Sequence, residues 1–103
     1  MIEVAITIIK HDKFQFDLID TINEEYDVIL TNISLYSKRN RKVGEIDILA
    51  YKGDYCDIIE VKCSHRIIKA RKQLTKLRKI VSQSSKVRNT YMFCGATQEL
   101  ILV

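Results

Sequence analysis

The chain has 103 residues, a length for one domain, residues 1–103, with a small core. Its formal net charge of +4 is segregated: Asp12, Asp17, Asp20, Glu24, Glu25 and Asp27 crowd the N-terminal part, and no acid occurs between Val61 and Gln98. A basic second half suits a polyanion, since neutralising phosphates supplies most non-specific nucleic-acid affinity. No run approaches the roughly 18 apolar residues of a membrane span, and MIEVAITIIK lacks a signal-peptide layout. Cys56, Cys63 and Cys94 form no CxxC pair and leave one thiol unpaired in any disulfide scheme. These features predict a protein of the cytoplasm, or of a host cytoplasm for a viral chain, with no membrane partner.

In chain order, the β-branched run from Ile2 to Ile9 predicts a strand. Phe14, Leu18, Ile19 and Ile22 recur at helical spacing, so Asp12 to Glu25 predicts a helix with Asp12 as N-cap. Val28 to Tyr36 reads as a strand, and Ser37 to Val43 as a basic loop. Two apolar runs follow, Gly44 to Tyr51 and Tyr55 to Lys62, joined by Lys52, Gly53 and Asp54 as a hairpin turn. Ile67, Ala70, Leu74, Leu77 and Val81 mark a helix over Arg66 to Ser82. Arg88 to Cys94 and Leu100 to Val103 close the chain as strands. The order predicts an α/β fold, a mixed central sheet flanked by helices.

The segment GEIDILAYKGDYCDIIEVK carries the most specific chemistry. Asp47, Glu60 and Lys62 interrupt apolar strand runs, and burying an ionised carboxylate is costly without a cation beside it. Alternation of strand side chains puts Glu60 and Lys62 on one face, and Glu45 and Asp47 on one face of the strand before. The hairpin can then bring Asp47 and Glu60 to one shared cation, and oxygen ligands of this kind select magnesium or manganese. A structural salt bridge is the bland alternative, although apolar residues in such places are often as stable.

These residues resemble the PD-(D/E)xK nuclease superfamily, in which an Asp and a Glu-x-Lys stand on successive strands. GEID followed by IEVK is especially similar to archaeal Holliday-junction resolvases; Ile46 stands where the family name has proline. The resemblance implies the restriction-endonuclease-like αβββαβ core. It implies that Asp47, Glu60 and the Val61 carbonyl hold the metal, and that Lys62 orients or deprotonates the attacking water. It also implies a further acid on the first helix, for which Asp17 and Asp20 are the candidates against an exposed acidic face. A glutamine of the basic helix lies beside the metal in RecB-like members; Gln73 borders the buried stripe, though the tyrosine that follows four residues later is Leu77 here. Glu45 reads equally as a supporting carboxylate or a solvated charge. Ser37 matches the serine of a basic loop that contacts the scissile phosphate in the resolvases.

Lys38, Arg39, Arg41 and Lys42 of that loop and Lys69, Lys72, Lys76 and Lys79 of the basic helix form the expected DNA-tracking surface. His65 reads as a structural histidine. The expectation is therefore a magnesium- or manganese-dependent endodeoxyribonuclease, acting on DNA as a homodimer, with branched DNA as a possible substrate. The alternatives are a non-catalytic nucleic-acid-binding module of the same fold and a protein-interaction domain. Ile2 to Ile9 and Leu100 to Val103 are the candidate dimer surfaces.

Overall fold

A computed structural model describes residues 10–103. The strand expected over Ile2 to Ile9 lies outside the described residues. Helix α1 spans Lys10–Ile22 and runs into a 3-10 turn at Asn23–Glu25. Then come β1 (Val28–Tyr36), β2 (Lys42–Lys52), β3 (Tyr55–Lys62), α2 (Ile67–Val81), β4 (Lys86–Cys94) and β5 (Glu99–Leu102). The strands form one mixed sheet in the order β1-β2-β3-β4-β5, with β3 and β4 parallel and the other pairs antiparallel. The parallel pair requires a crossover, which α2 supplies.

Alternation along β3 and β4 sorts two cores. Cys56, Ile58, Met92 and Cys94 pack with Ala70, Leu74, Leu77 and Val81 of α2, whereas Ile59, Val61 and Phe93 pack with Leu18 and Ile22 of α1. Each helix thus covers one face of the sheet, as the apolar stripes predicted. Gly95 lets α1 approach closely, because a Cβ there would overlap the Phe14 ring. The β2–β3 hairpin closes through Gly53 and Asp54, and Gly53 has φ +59, which primed two-residue turns require.

Three local expectations change. Asp12 lies inside the first turn of α1, which starts at Lys10, and is not its N-cap. The loop is shorter than Ser37 to Val43: Lys42 and Val43 belong to β2, because Lys42 pairs with Tyr36 after a bulge. Simple alternation also fails in β2. Ile46 faces the α2 core and Ile48 the α1 core, so the strand changes face at Asp47. Opposite that point on β1 stands Asn32, with φ +53. Asn is among the residues that tolerate this conformation best.

Candidate metal and nucleic-acid site

The change of face builds the site. Pairing between β2 and β3 ends at Ile48 and Ile59, and the strands part beyond it. Asp47 takes the place of the missing backbone partner: the Val61 amide donates to Asp47 Oδ2 at 2.9 Å. Glu60, the next residue of β3 past that end, is 5% exposed and Asp47 8%. Lys62 follows at i+2, and its Nζ lies 3.2 Å from Glu60 Oε1, as strand alternation predicts. Glu60 Oε2 is buried without a hydrogen-bond partner. Burial and the Asp47 charge push the Glu60 carboxyl up to about 7, against the pull of Lys62 and His11.

His11, at the start of α1, places Nε2 3.2 Å from Asp47 Oδ2 and Nδ1 3.5 Å from Asp12 Oδ1. Burial pulls its imidazole down, but the Asp47 and Asp12 carboxylates outweigh that and hold it above its ordinary value. A cavity of about 330 Å³ is lined by His11, Glu60, Val61, Lys62, Cys63, Ser64 and Arg66. Among the described residues, no three His, Cys, Asp or Glu side chains stand ready-made around one point. The donor set is two carboxylates with one free buried oxygen. That fits a hard cation that keeps several waters and takes only one or two carboxylates from protein.

The other candidate residues fall elsewhere. Glu45 is exposed and paired with Lys42 Nζ at 2.9 Å. Gln73 lines a separate small cavity with Gly44, Glu45, Lys76 and Leu77, and its Oε1 is buried without a partner. The Ser37 hydroxyl oxygen accepts the Arg39 and Arg41 amides at 3.3 Å each, shaping the basic loop. The cations of α2 spread over several sides. Lys69 and Lys72 share a surface with His65 and Arg66, Lys76 borders Gln73, and Lys79 joins Arg71 and Arg78 beside Thr90. Antiparallel pairing puts the N-terminal end of β2 at the C-terminal end of β3, so the loop carrying Lys38, Arg39 and Arg41 lies beyond the acid pair. Arg41 precedes Asp47 by six residue steps, about 20 Å along the ribbon. Asp17 and Asp20 are exposed on α1 and are not among the residues of the acid cavity.

Two polar residues escape the sequence reading. His11 extends the apolar stripe of α1 one turn backward, at i−3 from Phe14 and i−7 from Leu18; a helix begun at Asp12 leaves it out. Asp57, 0% exposed, is the most deeply buried acid among the described residues. It accepts from the Tyr26 hydroxyl at 2.6 Å, from the Asn89 amide at 3.0 Å and from the Arg88 guanidinium, which also lies over the Tyr55 ring. Burial pushes the Asp57 carboxyl up, and these hydrogen bonds more than reverse it, leaving it below its ordinary value. Its charge is fully compensated, so it clamps β3 to β4 and to the α1–β1 corner. No local sequence signal joins Asp57 to Arg88, 31 positions away.

No protein-family model matches the chain, and no curated protein is significantly similar to it. Among the described residues no helix is long and apolar enough to cross a membrane.

Proposed function

We propose that this chain is a metal-dependent endodeoxyribonuclease with a restriction-endonuclease-like core, hydrolysing phosphodiester bonds in DNA. The observation that carries the reading is the convergence of Asp47 and Glu60 where β2 and β3 part, with one Glu60 oxygen buried and unpartnered and a cavity alongside that Glu60 and Lys62 line. The element order α1-β1-β2-β3-α2-β4 supports the proposed core. A magnesium or manganese ion held by Asp47, Glu60 and the Val61 carbonyl would supply Lewis acidity toward the phosphate and lower the pKa of water.

The protein's own groups do the rest. Lys62 Nζ, tethered by Glu60, stands at the cavity to orient the attacking water and to stabilise charge developing on the phosphate. Arg66 lines the same cavity and offers a guanidinium to a phosphate oxygen. Helix α2 begins just after it with no acid in its first turn and no side-chain cap, so its positive end also favours an anion. Lys38, Arg39, Arg41 and Lys42 at the ribbon end, with Lys69, Lys72, Lys76 and Lys79 on α2, supply sequence-independent backbone contacts.

A second reading, a non-catalytic DNA-binding module, is favoured by one observation: each carboxylate already has a basic neighbour, the His11 imidazole for Asp47 and the Lys62 ammonium for Glu60. Cleavage of a panel of branched and linear DNAs in manganese separates the two. The nuclease reading expects cutting by the wild type, and none by Asp47→Ala or Lys62→Ala variants that still fold and bind DNA. Binding without cutting by the wild type would leave the module.

A further inference from the structure

The tip of the β1–β2 ribbon is shaped by its own backbone. The Ser37 amide donates to the Arg41 carbonyl at 2.8 Å and the Asn40 amide to the Ser37 carbonyl at 2.9 Å, while Asn40 holds φ +60. With the Ser37 hydroxyl oxygen accepting from the Arg39 and Arg41 amides, the loop is closed on itself. A tip tied in this way loses less conformational freedom when it binds.

Tyr36 ends β1 at the root of that tip, just past the register shift between Leu35 and Tyr36. Irregular pairing of this kind re-aims side chains. Leu35 packs against the α2 core, whereas Tyr36 is 60% exposed. Among the described residues one other aromatic is as open, Phe16 at 58%, and charge separates the two. Within one turn of Phe16 on α1 stand Asp12, Asp17 and Asp20 against a single cation, Lys13. Tyr36 stands opposite Lys42 and just before Lys38, Arg39 and Arg41, and those last three have no acidic partner among the described residues.

An open aromatic ring among unpaired cations matches the chemistry of a single nucleic-acid strand, whose bases stack on the ring while cations follow its phosphates. In continuous duplex both faces of each base are already stacked, so the ring gains this contact only where bases are unpaired. We infer that Tyr36 is a stacking platform for an unpaired base, and that the ribbon tip directs the chain to single-stranded or locally melted DNA over continuous duplex. The inference rests on DNA binding, which both readings of function share, and needs no cleavage.

The test is fluorescence anisotropy of the full chain with a mixed-sequence single strand and with the matching duplex, each over a range of salt. The wild type should bind the single strand more tightly. Tyr36→Ala should lose about fivefold or more of that affinity, with its salt slope and its duplex affinity nearly unchanged. Tyr36→Phe keeps the ring and should bind as the wild type does. Arg39→Gln, by contrast, should weaken binding to both DNAs and lower the single-strand slope by about 0.7. Should Tyr36→Ala not fold, Tyr36→Leu keeps the bulk without the aromatic face and should show the same loss. No loss on the single strand, an equal loss on both DNAs, or a Tyr36→Phe variant as weak as Tyr36→Ala overturns the stacking role while leaving the basic tip standing. Failure of the wild type to bind either DNA overturns the inference together with the DNA surface it rests on.

Discussion

Glu60 and Asp57 lie three residues apart on β3, and their environments drive them in opposite directions. Burial and Asp47 raise Glu60 from 4.5 to about 7, so between these values the folded chain holds a proton that the unfolded chain has released. Stability from this group is therefore full below about pH 4.5 and declines as pH rises toward 7. Glu60→Gln should accordingly raise the unfolding temperature at pH 8 and change it little at pH 4, measured without divalent ions; an equal effect at both would contradict the account of Glu60. Asp57 is held below its ordinary value, so its contribution is full above the unfolded pKa and is lost as pH falls through the folded one. Asp57→Ala removes the acceptor shared by Tyr26, Asn89 and Arg88, whose half-exposed guanidinium can rehydrate. It should destabilise the chain by about 1–3 kcal/mol at pH 7 in urea, the cost of the lost buried hydrogen bonds, and no measurable loss would show the clamp to be dispensable.

At the scale of elements, α1 is both a cover for one core and the carrier of His11. Its approach depends on Gly95, which lies against the Phe14 ring. Gly95→Ala should force the ring and α1 outward, costing about 1–3 kcal/mol. It should also loosen the His11–Asp47 contact, read as a shifted His11 imidazole resonance; an unchanged resonance would show that α1 is not held through this contact. The extent of α2 was legible because its apolar residues recur at one helical spacing, and β1 and β3 because each is a β-branched or apolar run bounded by polar turn residues. The Glu60–Lys62 pair was legible because β3 alternates regularly. The displacement of Glu45 from Asp47 was not, because it arises from the change of face at Asp47 and the positive φ of Asn32, a tertiary event with no periodic trace. Asp57 stayed hidden for a related reason: its partners, Tyr26 and Arg88, come from distant segments. Gln73 borders the α2 stripe as predicted, yet the helix carries it to the Gly44 side of the sheet.

For the whole molecule, β5 ends the sheet among the described residues, and Leu102 and Leu100 on it are 65% and 39% exposed. A single site cuts one strand, so paired incision by the proposed nuclease needs two copies related by a two-fold axis. Pairing through β5 would cover those leucines and complete the edge. Sedimentation at micromolar concentration should give a dimer that Leu102→Lys converts to monomer. A monomer at every concentration, with or without DNA, would confine the proposal to nicking of one strand.

All of this turns on whether Asp47 and Glu60 share a cation. A crystal soaked in manganese, with anomalous diffraction recorded at the metal edge, measures that directly. The account predicts one peak at roughly 2.2 Å from a carboxylate oxygen of each, with the Glu60 oxygen that lacks a protein partner turned toward it. Absence of a peak at manganese saturation, with Asp47 still on His11 and Glu60 still on Lys62, would contradict the metal site and the nuclease reading built on it.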